Sequence, residues 1–215
     1  MESCMTTTPR KFSRIQPELR RENLVAATLR CLAEHGHAGV SVRKIAAAAD
    51  VSIGLINHYY PSIDQLISHA YETLSGGIAD GLLKASEAGA DPRDSLSRFI
   101  TESFGPAILD PKMLGVWVVF WSMVRHSADM AAVQQRTYGQ YRAALERHLG
   151  ALAEQKGLPA MNIRAAATAL NAMLDGLWLT WCLNPADFSV QEGVAMCEGW
   201  VDAFAAGLFA ERLRA

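Results

Sequence analysis

The chain has 215 residues, half of them apolar and a fifth charged, with a formal net charge of −2. This composition gives a globular protein able to bury a sizeable core, and it excludes a disordered chain. No apolar run approaches the ~20 residues that cross a bilayer, and the N-terminus lacks signal-peptide order, so a cytoplasmic protein without membrane contact is expected.

Charge is unevenly spread: residues 1–70 carry eight Lys/Arg against six Asp/Glu, whereas residues 71–215 carry twelve against sixteen. Residues 1–14, with Arg10, Lys11 and Arg14, read as a basic arm without fixed structure of its own. A basic arm ahead of a DNA-binding unit is the footprint of phosphate contact. Pro17 opens a first helix with Leu24, Val25, Thr28, Leu29 and Leu32 at helical spacing, ended by Gly36 to Gly39.

From Val40 to Tyr60 two short helices meet at a tight turn. Ser41 caps the first, Asp50 tolerates the left-handed conformation where the chain leaves it, and Val51 is the apolar plug. Ser52 caps the second, which crowds Asn57, His58, Tyr59 and Tyr60 into little more than one turn. Helix, short turn and capped helix make a helix-turn-helix, whose second helix enters the DNA major groove. A purely packed hairpin has no need of such polar tips beside Arg43 and Lys44. The residues expected to contact DNA are Ser41, Arg43, Lys44, Ser52, Ile53, Gly54, Asn57, His58 and Tyr59.

After this turn, Pro61 and Ser62 restart the chain, and Ile63, Leu66, Ile67, Ala70, Tyr71, Leu74 and Ile78 stripe a long fourth helix. Ser62 and Gln65 have capping-box spacing. The fourth helix is expected to be the one element reaching both the DNA head and the larger domain, with Gly76, Gly77 and Gly81 weakening it or admitting a second backbone. Further helices are expected over 92–104, 111–124 and 129–156, broken by Gly105-Pro106 and closed by Gly157 and Pro159. The last two carry matched seams spaced 4, 3, 4, 3, 4: Ile163, Ala167, Leu170, Leu174, Leu177, Trp181, and then Val190, Val194, Cys197, Val201, Phe204, Leu208. Such seams suit a four-helix bundle between two copies, or the chain's own core. The fold class is therefore all-α with about nine helices, divided into arm 1–14, DNA-binding domain 15–61 and ligand-binding and dimerisation domain 62–215.

The segment Ala46 to Leu66 resembles the tetracycline-repressor (TetR) family, whose signature is an Ala-rich helix, Val-Ser, Gly, then His-Tyr before the next helix. "Ser52-Ile-Gly-Leu-Ile-Asn-His-Tyr-Tyr" is similar to its BetI-like branch. Asp50 stands where glycine is usual, and Ile63 where a phosphate-touching lysine is usual. The resemblance implies a homodimer joined by the last two helices, the expected contacts being Leu170, Leu174, Leu177, Trp181, Val194, Val201, Phe204 and Leu208.

All five tryptophans follow residue 116, and Trp117/Trp121 and Trp178/Trp181 form helical pairs. Asn171, Asp175, Trp178 and Cys182 make a second stripe beside the seam on the penultimate helix. Aromatic rings around one carboxylate favour a cation; the alternative is core packing, with Asp175 capping a helix or paired to an arginine. "Trp117-Val-Val-Phe-Trp" and "Asp175-Gly-Leu-Trp-Leu" resemble the C-terminal signatures of the BetI-like branch, whose named member responds to choline. The expected effector site is Phe104, Trp117, Phe120, Trp121, Asp175 and Trp178.

The chemistry of enzymes is missing: there is no Ser/His/Asp or Cys/His spacing, no phosphate loop, and no cofactor motif. His35 and His37 are spaced for neither one helix face nor zinc, and the four cysteines lack metal or disulfide spacing. The sequence thus reads as a transcriptional repressor that binds palindromic double-stranded operator DNA as a homodimer and is released by a small organic, choline-like effector. The alternative is a helical small-molecule-binding protein or enzyme without DNA function.

Overall fold

A computed structural model describes residues 17–213, so the basic arm lies outside the described residues. Nine helices follow in chain order among the described residues: α1 (Pro17–Gly39), α2 (Val42–Ala49), α3 (Ile53–Tyr59), α4 (Ile63–Glu87), α5 (Pro92–Ser103), α6 (Pro111–Val124), α7 (Ala128–Gln155), α8 (Ile163–Leu183) and α9 (Val190–Ala205). Local chemistry sets these bounds. Ser41, Ser52, Ser62, Asp91, Ser127 and Ser189 each accept a backbone N–H at a helix start, satisfying a donor that has no partner inside the helix. Asp50 ends α2 with φ 52° and ψ 51°, the left-handed conformation, and its own N–H reaches back to Ala46 and Ala47. Gly36 breaks α1 at φ 62°, one turn before its last residue.

Two apolar cores result. The smaller joins Leu24, Ala27 and Cys31 of α1, Ile45, Ala46 and Ala49 of α2, Ile56 and Tyr60 around α3, and Leu66 of α4. The larger runs from Leu32 of α1 through α4 to α9. Val40 and Ile63 pack against both. Two side chains of α1 fasten the end of α2: Asn23 Nδ2 donates to Ala49 O at 3.0 Å and an Arg30 guanidinium nitrogen to Ala48 O at 2.9 Å.

The fourth helix does link the two cores, packing on α1, α5 and α7, but it is not alone in doing so. The sixth helix packs on α1 as well as on α7 and α8, so two helices connect the head to the larger domain. The cause is Leu32, on the back of α1, which belongs to the larger core. A Cβ placed at Gly76 or Gly77 would meet nothing within 4 Å, so no second backbone approaches α4 there.

The expected dimer seam needs correction. Leu170, Leu174, Val201 and Phe204 are buried in the chain's own core, Leu174 being 2 % exposed and Phe204 0 %. Leu177, Trp181 and Val194 are half-buried and pack against that core. The seam spacing marks the most apolar stripe of each helix, and a chain fills its own interior with that stripe before offering it to a partner. Leu208 lies beyond the end of α9, in turns that follow Gly207 at φ 75°, and is 71 % exposed. On the outer side of α8 and α9, Leu179, Leu183 (76 %) and Met196 are exposed.

Candidate DNA-reading surface and ligand cavity

At the head, the residues singled out for DNA contact lie on α2 and α3 and their N-caps. Ser41, Arg43, Lys44, Ser52, Ile53, Gly54, Asn57 and His58 are exposed, and Tyr59 is half-buried. The caps leave chemistry to spare, because Ser41 Oγ accepts from Lys44 N–H at 3.3 Å and Ser52 Oγ from Leu55 N–H at 3.2 Å while each keeps its own proton. Tyr59 is held from both sides: the Arg21 guanidinium lies 5.6 Å from its ring centroid, and the His58 ring meets it edge-on at 5.3 Å.

Two features of α3 have no explanation inside the chain. Ile53 is 44 % exposed on a helix whose Ile56 is buried and whose Tyr59 packs against the smaller core. A Cβ at Gly54 would meet only Ser52 Oγ, at 3.9 Å, so packing does not require glycine there. A helical glycine costs about 1 kcal/mol against alanine, and one facing outward suits the close approach of a partner surface. Ile63, in the place of the usual lysine, starts α4 half-buried against both cores and works as a packing residue.

α3 is also tied to α4. The Tyr60 hydroxyl and His69 Nδ1 are 2.6 Å apart, so the C-cap residue of the expected recognition helix is anchored to the second turn of α4.

In the larger domain α4, α5, α6, α7 and α8 enclose a cavity lined by Ile78, Leu82, Phe99, Ser103, Trp117, Trp121, Tyr138, Tyr141, Asn171, Leu174, Asp175 and Trp178. Four of the six residues expected at an effector site line it: Trp117, Trp121, Asp175 and Trp178. Phe104 and Phe120 do not. Phe104 turns to α9, where its ring leaves no room for a Cβ on Gly193, and Phe120 packs on Tyr71 with centroids 4.8 Å apart. Tyr138 and Tyr141 complete the wall from α7. Their helical spacing in the sequence carries no sign of which neighbour they face.

Asp175 is the polar centre of this cavity. It accepts from the Tyr138 hydroxyl and, at 3.0 Å, from Asn171 Nδ2. Among the described residues no Lys, Arg or His forms an ion pair with it, so the arginine partner considered from the sequence is absent from its surroundings. Burial pushes its carboxyl up to about 6 against the opposing pull of the Tyr138 and Asn171 hydrogen bonds. Trp178 Nε1 donates to Ser103 O at 2.8 Å, which fixes that ring as a wall, whereas the buried Trp117 Nε1 has no partner among the described residues.

Comparison with known proteins shows the family. Residues 24–70 match the family described as bacterial regulatory proteins, tetR family, and residues 92–206 match BetI-type transcriptional repressor, C-terminal. The chain is 30% identical over 187 residues to the HTH-type transcriptional regulator BetI of Stenotrophomonas maltophilia, covering 86% of this chain and 92% of that one. It is 31% identical to its namesake in Rhizobium meliloti, over 86% and 89%. A crystal structure from Pseudomonas aeruginosa, described as a transcriptional regulator, superposes with TM-score 0.89 at 43% identity over 95% of this chain and 98% of that one. A Saccharomonospora viridis protein solved in complex with choline has the same fold, with TM-score 0.76 at 20% identity over 87% and 97%. With both halves matched and relatives aligned over most of its length, this chain belongs to the TetR family of bacterial transcriptional regulators, and its C-terminal region is of the BetI type.

Proposed function

We propose that the protein acts in the cytoplasm as a homodimeric repressor, binding a palindromic operator through α2 and α3 and leaving it when a small organic cation enters the cavity at Asp175. The observation that carries the effector reading is the largely buried Asp175 carboxylate, walled by aromatic rings and paired with no cation among the described residues. An unpaired buried charge is expensive, and a quaternary ammonium against these rings supplies both the missing charge and cation–π attraction of ~0.5–2 kcal/mol per ring. The choline bound by the S. viridis neighbour supports the same ligand class.

For DNA, the support is the exposed polar rim of α3, the outward Gly54 and the capped helix starts beside Arg43 and Lys44. Domain 15–61 is the reading head and 62–215 the sensing and pairing body. The dimer forms on the outer side of α8 and α9, where Leu179, Leu183 and Met196 lie unpacked, and Leu208 is exposed beyond the end of α9. Two reading helices must match major grooves ~34 Å apart, so a small tilt of α4 or α6 misaligns them. Moving the population from 1:99 to 99:1 takes ~5.5 kcal/mol of differential ligand affinity.

The test is calorimetry of choline against its neutral carbon isostere, 3,3-dimethyl-1-butanol, followed by operator binding with each. Choline is expected to bind and release DNA while the isostere does neither. Equal affinity for both removes the cation from the reading.

A further inference from the structure

The buried cavity holds about 20 Å³, room for a single water and far too little for an organic cation. Beside it, between α6, α7 and α8, lies a surface cleft of about 350 Å³ lined by Trp121, Val124, Gln134, Tyr138 and Asp175. Trp121, Tyr138 and Asp175 line both spaces, so these three side chains form the partition between them. Asp175 is therefore reachable from outside while the inner cavity is still closed.

We propose that this outer cleft is a docking site for a small organic monocation, occupied before the inner cavity opens, and that Gln134 within it signals the occupant to α4. The proposal rests on the reading of the effector as a cation and adds where it first binds and how it is sensed. In the present conformation only the cleft has the volume, and it offers what a cation needs: the Asp175 carboxylate and the faces of Trp121 and Tyr138. The Tyr138 hydroxyl donates to Asp175. A cation that stabilises this carboxylate in place of the Tyr138 hydrogen bond frees Tyr138, and with it the partition.

Gln134 lies one helical turn before Tyr138 on α7, and its amide oxygen accepts the hydroxyl of Tyr71 on α4. Tyr71 in turn meets Trp117 edge-on, with centroids 5.5 Å apart. The same seam holds Arg136 to Glu72 at 2.6 Å and Tyr141 Oη to Ser75 O at 3.3 Å. A ligand pressing on Gln134 therefore acts on the helix whose first turns carry the Tyr60–His69 anchor of α3.

Stopped-flow tryptophan fluorescence of the full-length protein with choline and benzyltrimethylammonium tests the order of events. The wild type is expected to give a fast phase whose rate rises with ligand, then a slower phase that saturates as the cavity opens. Val124→Trp narrows the cleft and should slow the fast phase at least tenfold; Val124→Glu adds a carboxylate and should accelerate it. Gln134→Leu should cut the choline-dependent loss of operator affinity at least fivefold, and Gln134→Glu, which still accepts from Tyr71, should restore it. A single phase indifferent to both Val124 substitutions overturns the docking site, and equal coupling in both Gln134 variants overturns the signal. If neither cation binds the wild type, the cation reading itself falls, and the cleft proposal with it.

Discussion

Replacing Asp175 by Asn should make the unliganded protein more stable and its effector site useless. In the folded chain this carboxyl is pushed up to about 6 by burial, whereas in an unfolded chain it titrates near 3.9. The folded state therefore holds a proton that the unfolded state has released, and stability falls as pH rises between these two values. At about 1.4 kcal/mol per tenfold change, the ionised carboxylate costs the folded protein about 3 kcal/mol at pH 7. Asparagine keeps the shape, still accepts from Tyr138, and removes the charge. For a chain of this size, each kcal/mol moves the melting temperature by about 2–4 °C. Asp175→Asn should thus melt several degrees above the wild type at pH 7, and the gap should close toward pH 4, where the wild-type carboxyl is itself neutral. Differential scanning calorimetry at pH 4, 5, 6 and 7, with a choline titration at pH 7, measures both effects. A variant less stable than wild type at pH 7, or a gap that does not change with pH, would refute the reasoning.

Three further expectations follow from the same geometry. Choline affinity should fall as pH drops through about 6, by up to tenfold per pH unit, because the cation binds the ionised form of Asp175; a flat isotherm series from pH 7.5 to 5 excludes this carboxylate as the partner. Leu183→Glu, on the exposed side of α8, should split the dimer in sedimentation while leaving the helical signal intact, whereas Phe204→Ala should cost about 3–5 kcal/mol of stability because Phe204 belongs to the core; a Leu183→Glu dimer as tight as wild type moves the interface elsewhere. Asn57→Ala should weaken operator binding by about 1–3 kcal/mol, since the Asn57 side chain is exposed and makes no hydrogen bond among the described residues, and should leave the melting temperature alone; unchanged gel-shift affinity removes Asn57 from base reading.

The sequence by itself determined the elements and their ends. Helix stripes, capping serines, Asp50 at the left-handed turn and Gly36 in α1 are local effects, decided within a few residues, and each stands where its chemistry predicts. It also marked Trp117, Trp121, Asp175 and Trp178, because a carboxylate among tryptophans conflicts with an apolar helix face wherever that helix packs. Which apolar stripe faces inward was decided only by the tertiary structure. Leu174 and Phe204 carry the same seam spacing whether their partner is another copy or their own chain, and here their own core takes them. Phe104 and Phe120 miss the cavity for a related reason: spacing fixes the side of a helix, while the neighbours fix what that side touches. The closed cavity depends on the packing of five helices, and its outer cleft and the meeting of Asp175 with Tyr138 and Gln134 on how α6, α7 and α8 lie against one another. Periodicity along one helix holds no information about the depth at which it meets another.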